Sequence, residues 1–179
     1  DGLILYEDAP DGNTGIPYLT SLIAAPDSRA IFGRTTQGLA EINVSADGQL
    51  NMRRDRDLDG TQLRPTRMFL FPAEARILDD LGIVFTATNL KYNDRLSTFV
   101  DRCDFYGNLP IVSSGNTLYA YSNAMELTAY YELEGNAPDA LYIDGEQIHL
   151  FRSGPEIPHG ATTEVIDVNE LTGDAPWMP

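Results

Sequence analysis

A succession of short apolar segments separated by turn residues is the feature that most limits how this chain can fold. Strands are typically short and end at Gly, Pro, Asn or Asp, whereas helices need longer periodic stretches. From Leu96 onward six such segments follow one another: 98–101, 109–113, 118–122, 125–133, 141–143 and 147–151. We therefore predict strand after strand over this part of the chain.

Two tight hairpins are predicted from Asp-Gly pairs. Asp144-Gly145 separates the segments 141–143 and 147–151, and Asp47-Gly48 separates 41–45 from 49–52. A glycine supplies the positive backbone angle that a two-residue hairpin turn requires. Each pair should therefore join two antiparallel strands.

Two short helices are also predicted. Residues 18–25 form one apolar run before Pro26, and the stretch from Pro72 to Gly82 has apolar residues at positions 75, 77, 78 and 81, which is helical spacing. The predicted fold class is α+β and strand-rich, mainly an antiparallel sheet with one or two short helices and an extended C-terminal arm. No internal repeat is apparent.

The charge of the chain is strongly negative and unevenly distributed. The net charge is −15, and no Lys or Arg precedes Arg29 or follows Arg152. Such a charge repels phosphate backbones and anionic lipid, so nucleic acid is an unlikely partner and a membrane is not expected. We predict one globular domain over residues 1–160 and an acidic extended arm over 161–179.

One loop resembles half of a calcium site. Asp55, Asp57 and Asp59 alternate before Gly60, as in the first part of a calcium-binding loop, but the closing position is Thr66 instead of Glu. A solvated loop with local ion pairs is the competing interpretation. Apart from calcium at these three residues, we expect no cofactor.

Tyrosines on neighbouring predicted strands form a candidate binding face. Tyr119, Tyr121 and Tyr130 lie in this part of the chain, close to Tyr131 and Tyr142. Aromatic rings with polar tips are common at protein interfaces and sugar-binding faces. The same residues would also suit a core with hydroxyls at its rim.

No catalytic motif is present, so we predict that the protein is not an enzyme. The two histidines, His149 and His159, have ordinary surroundings, and the sequence lacks the motifs of serine hydrolases, zinc proteases and nucleotide-binding enzymes. A pair of carboxylates acting as acid and base remains an alternative, because the chain has 27 Asp and Glu residues.

The arm is predicted to reach a neighbouring molecule. Trp177 would be its aromatic anchor. Its carboxylates would face a basic cluster on an adjacent subunit, formed by Arg53, Arg54, Arg56, Arg64 and Arg67.

Three short strings resemble the later part of tailed-phage major capsid proteins: residues 1–4 (DGLI), 65–72 (PTRMFLFP) and 107–112 (GNLPIV). This resemblance implies a virion shell component. The strand region 119–134 is similar to the C-terminal sheet of type IV pilins, which implies an extracellular filament.

These observations lead to one expected function and two alternatives. We expect a structural protein that assembles with copies of itself or with another structural protein, in a virion or an extracellular setting. A secreted binding module that uses the tyrosine face and calcium is the first alternative, and an acid–base hydrolase with unidentified carboxylates is the second.

Overall fold

The computed structural model describes residues 21–25, 27, 29–35, 38–48, 50–54, 67–153 and 161–171. Within these ranges the backbone forms fifteen strands and one short 3-10 helix. The strand-rich, antiparallel class predicted from the sequence is therefore confirmed. None of the helical structure in these ranges is long and apolar enough to cross a lipid bilayer.

The strands form four sheets, and each sheet is built from strands that are consecutive in the chain. Sheet 1 contains β1 (Leu22–Ala25), β2 (Ala30–Thr35), β3 (Gly38–Val44) and β4 (Leu50–Arg54). Sheet 2 contains β5 (Met68–Leu70), β6 (Arg76–Asp79), β7 (Ile83–Thr86) and β8 (Tyr92–Arg95). Sheet 3 contains β9 (Arg102–Tyr106), β10 (Leu109–Ser114), β11 (Thr117–Tyr121) and β12 (Leu127–Glu132). Sheet 4 contains β13 (Ala140–Asp144), β14 (Gln147–Ser153) and β15 (Ala161–Asp167).

Every sheet is an antiparallel meander, in which each strand pairs with the next along the chain. Both predicted hairpins pair as antiparallel strands, but only the one at residues 144–147 has a two-residue turn, because five residues separate the paired Val44 and Leu50. Asp144 pairs with Gln147, so the turn itself is Gly145 and Glu146, with a φ of +58° at Gly145. Val44 pairs with Leu50 across the other turn, where Gly48 has a φ of +83°.

Among the described residues, three hydrophobic cores lie between successive sheets. Phe32 of sheet 1 and Phe85 of sheet 2 belong to the first core. The second core joins sheets 2 and 3, and the third core joins sheets 3 and 4 through residues such as Ile111 and Leu150. Because successive side chains of a strand point to opposite faces, the neighbours Ile77 and Leu78 enter different cores.

The first strands of neighbouring sheets lie against each other in two places. β1 contacts β5, and β9 contacts β13. At the second contact the Oδ2 atom of Asp104 accepts a hydrogen bond of 2.7 Å from the backbone N–H of Ile143. These contacts place the first strands of neighbouring sheets side by side. We call the four sheets in this order, sheet 1 to sheet 4, the stack.

The predicted helices are wrong. Residues 76–79 form β6, and Leu22–Ala25 at the end of the first predicted helix form β1. The error at β6 has a physical cause: this strand is buried on both faces, so its consecutive apolar residues produce a spacing that also fits a helix. Residues 18–20 lie outside the described part of the chain.

The first part of the predicted C-terminal arm is a paired strand. β15 pairs with β14 over seven residues, from Ala161 to Asp167. Ile166, Val168 and Leu171 are buried in the third core, and burial of these side chains offsets the cost of ordering the segment. The 3-10 helix Val168–Glu170 follows at once. Residues 172–179 lie outside the described part.

Candidate interaction surface

Sheet 4 has one face in the third core and one face that no other described element covers. In β13, Leu141 and Ile143 pack against the third core, whereas Ala140 and Tyr142 are exposed. In β14, Ile148 and Leu150 are fully buried, and Phe151 is exposed. We call the second side the outer face of sheet 4.

The strand register brings the apolar side chains of this outer face together. Tyr142 lies beside His149, and His149 lies beside Val165. The rings of Tyr142 and His149 have centroids 6.2 Å apart. Tyr142 is 56% exposed and Val165 is 49% exposed. Adjacent residues of one face in neighbouring strands are close enough to act as a single patch.

On either side of this row of residues across sheet 4 lies a further row: one extends the apolar patch, and the other is polar and borders it. Phe151, which is 37% exposed, lies between Ala140 and Thr163. At the other end of the patch, Gln147 lies between Asp144 and Asp167. An aromatic and aliphatic centre with a polar border is the usual anatomy of a protein–protein interface.

Sheet 1 carries a second outer face at the opposite end of the stack. Leu22 is 62% exposed, and Ala24 of the same strand is also exposed. Ala24 lies beside Ile31, and Ile31 lies beside Ile42; both isoleucines are half-buried. Sheets 1 and 4, the first and last sheets in the described part of the chain, therefore both have exposed apolar residues on their outer sides.

The predicted tyrosine face is divided between core and surface. Tyr121 is 1% exposed and packs in the second core, where its hydroxyl forms a 2.9 Å hydrogen bond with the Oγ of Ser97. Burial raises the pKa of the Tyr121 hydroxyl. Tyr119 is half-buried against the same core, and its cross-strand neighbour Tyr130 is exposed. Tyr121 is therefore a core residue.

The remaining predicted site residues lie outside the described part of the chain. These are Asp55, Asp57 and Asp59 of the calcium-like loop and Trp177 of the arm. Within the ranges that the structure describes, no group of three or more His, Cys, Asp or Glu side chains has an arrangement that could hold a metal ion.

Sequence reasoning missed a buried charged cluster between sheets 1 and 2. Arg34 follows Phe32 on the inward side of β2, and Asp79 follows Ile77 on the facing side of β6. Glu41 is also buried on the inward side of β3. Burial lowers the pKa of the Arg34 guanidinium, and the carboxylates of Asp79 and Asp80 oppose that change.

Asp79 has a defined structural task in this cluster. Its Oδ1 atom accepts hydrogen bonds from the backbone N–H groups of Leu81 (3.0 Å) and Ile83 (2.9 Å), which holds the turn between β6 and β7. Burial raises the pKa of Asp79 to about 6, against the opposing effects of these N–H groups and of Arg34. The carboxyl group can therefore exchange a proton near neutral pH, while it also fixes the turn.

Comparison with known proteins identifies the fold and no family. No protein-family model matches the sequence, and no curated protein matches it significantly. Solved structures do match. Hydrazine synthase of Kuenenia stuttgartiensis aligns with a TM-score of 0.65 and 11% identity, over 94% of this chain and 53% of that chain.

Two other solved structures share the architecture. The WD40 repeats of RRP9 align with a TM-score of 0.55 and 15% identity, over 74% of this chain and 44% of that chain. The computationally designed Ika4 protein aligns with a TM-score of 0.60 and 13% identity, over 87% of this chain and 94% of that chain. WD40 repeats form β-propellers, whose blades are four-stranded antiparallel sheets.

The fold is propeller-like. Each sheet of this chain corresponds to one blade, and the chain spans about half the length of the hydrazine synthase chain that it matches. At identities of 11% to 15% these matches establish the fold alone. A propeller supports many unrelated functions, so a function has to be argued from this chain's own surfaces.

Proposed function

We propose that this protein is an assembly module without a catalytic role, which packs the outer faces of sheets 1 and 4 against copies of itself or a neighbouring structural protein. The observation that carries the proposal is the outer face of sheet 4. This face has an apolar centre formed by Tyr142, Phe151 and Val165, all exposed, at positions fixed by the sheet register.

Free energy favours covering this face. Moving one Val or Phe side chain from full exposure to full burial contributes roughly 1.5–3 kcal/mol. Tyrosine and phenylalanine are also rigid relative to their size, so that ordering them at an interface costs little entropy. A partner that covers Tyr142 and Phe151 together therefore gains affinity from a small patch.

The virion shell and the extracellular filament remain proposals for where this module acts. None of the three matched structures is named as a capsid or pilus protein. One observation favours the secreted binding module as the alternative. Tyr130 is exposed on the edge strand β12, where a ligand can reach it.

A sedimentation velocity experiment over a range of protein concentrations tests the assembly proposal. The wild-type chain should associate as its concentration rises, and Phe151→Glu should weaken this association at least tenfold, because it places a charge in the apolar centre. Phe99→Glu is the matched control, since Phe99 is also exposed but lies in the connection between β8 and β9. A wild-type chain that stays monomeric would favour the binding module, and equal effects of both variants would remove sheet 4 from the proposal.

A further inference from the structure

The sheets of the stack contact one another in one order throughout the described part. We call the side of a sheet that faces the next sheet its leading face, and the side that faces the preceding sheet its trailing face. Each of the three cores joins the leading face of one sheet to the trailing face of the next. The outer face of sheet 4 is a leading face, and the outer face of sheet 1 is a trailing face.

The outer face of sheet 4 corresponds position by position to a face that is covered in sheet 3. The hairpin turns at Gly107 and Gly145 have the same length and similar φ values, +60° and +58°. When these turns are aligned, His149 corresponds to Ile111 and Phe151 corresponds to Ser113. Ile111 is fully buried in the third core against sheet 4, and Ser113, two residues further along the same strand, is also fully buried.

We infer that a second copy of this chain docks head to tail, so that the leading face of sheet 4 of each copy covers the trailing face of sheet 1 of the other. This inference rests on the proposed function and names its partner. Leu22 and Ala24 present exposed apolar side chains on that trailing face, which is the kind of surface that packs against a leading face inside the stack.

The lengths of the matched structures favour a second copy as the occupant. A stack of this length aligns with 94% of the Ika4 chain, but with only 53% and 44% of the hydrazine synthase and RRP9 chains. The same architecture thus occurs in chains of about this length and in chains about twice as long. The described parts of two copies supply eight sheets, and two identical head-to-tail contacts close a ring, as in symmetric homodimers.

Mixing two face variants tests this arrangement by native mass spectrometry. Phe151→Glu blocks the leading face, and Leu22→Glu blocks the trailing face. Each variant alone should be monomeric, because every head-to-tail contact then contains one blocked face. An equimolar mixture should form a mixed dimer, since one contact joins the two unblocked faces. Phe99→Glu should dimerise like the wild-type chain, and Tyr142→Glu should reproduce the effect of Phe151→Glu if the latter unfolds the protein.

The possible outcomes separate this inference from the proposed function. Loss of dimerisation in Phe151→Glu but not in Leu22→Glu would show a symmetric contact between two copies of sheet 4, which overturns the head-to-tail arrangement and leaves the assembly proposal standing. A series of masses beyond two copies would overturn the closed ring. A wild-type chain that is monomeric at every concentration would overturn this dimer and the self-association in the proposed function, and it would favour the binding module.

Discussion

Asp79 connects local turn geometry to the pH dependence of the fold. Its carboxyl group is fully buried, and its Oδ1 atom holds two backbone N–H groups of the next turn. A neutral carboxyl group can keep those hydrogen bonds. A charged carboxylate loses its hydration on burial, and the attraction of Arg34 offsets this cost only in part. The native state therefore binds a proton at Asp79 more tightly than the unfolded chain does.

The sign of the pH effect follows from the raised pKa of Asp79. Because the pKa rises from 3.8 to about 6 on folding, the native state is favoured at low pH, and this contribution is lost as the pH rises through about 6. The change is on the order of 3 kcal/mol in the free energy of unfolding. Asp79→Asn keeps the acceptor oxygen and removes the titration.

Urea denaturation between pH 4.5 and 7.5 tests this prediction. The free energy of unfolding of Asp79→Asn minus that of the wild-type chain should increase as the pH rises. Asp139→Asn is the control. Hydrogen bonds from Ser153 lower the pKa of the exposed Asp139 carboxylate, so this group titrates below the tested range and its difference from the wild-type chain should not change with pH. A difference for Asp79→Asn that does not change with pH would contradict the proposed titration.

At the scale of strands and turns, the connection between β8 and β9, residues 96–101, packs closely against Gly82. The φ of Gly82 is +80°, and an added Cβ atom would lie 2.5 Å from the backbone oxygen of Thr98. The carbonyl oxygen of Gly82 also accepts a hydrogen bond of 2.7 Å from the N–H of Leu96. An added Cβ atom would therefore clash with a backbone atom, which cannot move aside as a flexible side chain can. The hydrogen bond from Leu96 holds the same segment against Gly82.

Gly82→Ala should therefore destabilise the protein more than a substitution that strains φ alone. Gly135 is the matched control, because its φ is +85° and no atom lies within 4 Å of an added Cβ. The strained φ costs roughly 1–2 kcal/mol in either variant, and the clash at Gly82 should bring its total to about 3 kcal/mol or more. Equal losses in chemical denaturation would show that the contact with Thr98 relaxes freely.

Local chemistry in the sequence predicted the hairpins and the strand alternation, because these depend on neighbours in the chain. Gly145 and Gly48 adopt the positive φ values that a tight turn requires. In the segment 125–133, Ala129 and Leu133 are buried while Tyr130 and Glu132 are exposed, which fits a strand with alternating faces. Leu127 departs from this alternation, because it is 47% exposed. These features need no knowledge of the other sheets.

The features that depend on packing between sheets could not be predicted from the sequence. Tyr121 is in the core and Tyr130 is exposed because sheet 2 covers one and not the other, and the sequence pattern around the two residues is alike. The division of the described residues into four successive sheets was missed for a related reason. The turns after the third strands are capped by Thr86, Ser122 and Asp167, which differ in residue type and spacing, so no repeat is visible.

At the scale of the whole molecule, net charge opposes self-association while the outer faces favour it. Each copy carries a net charge of −15 at pH 7, so two copies repel one another at low ionic strength. Salt screens this repulsion over roughly 10 Å at 0.1 M and leaves apolar contact intact. Association through the outer faces should therefore strengthen with salt.

Sedimentation in about 0.05 M and 0.5 M sodium chloride measures this effect, since the Debye length falls severalfold over that range. The dissociation constant of the wild-type chain should decrease severalfold at the higher salt. Association that weakens with salt would instead agree with ion pairing between the acidic arm and the cluster from Arg53 to Arg67, and would count against the apolar contact.

Hydroxyl-radical footprinting at low and high protein concentration tests the central claim most directly, because it reports which side chains become covered. Tyr142 and Phe151 should lose reactivity as the concentration rises, while the exposed side chains of Tyr92 and Phe99 should keep theirs. Unchanged reactivity at Tyr142 and Phe151 in an associated sample, or protection of Tyr92 and Phe99 in their place, would contradict assembly through the outer face of sheet 4.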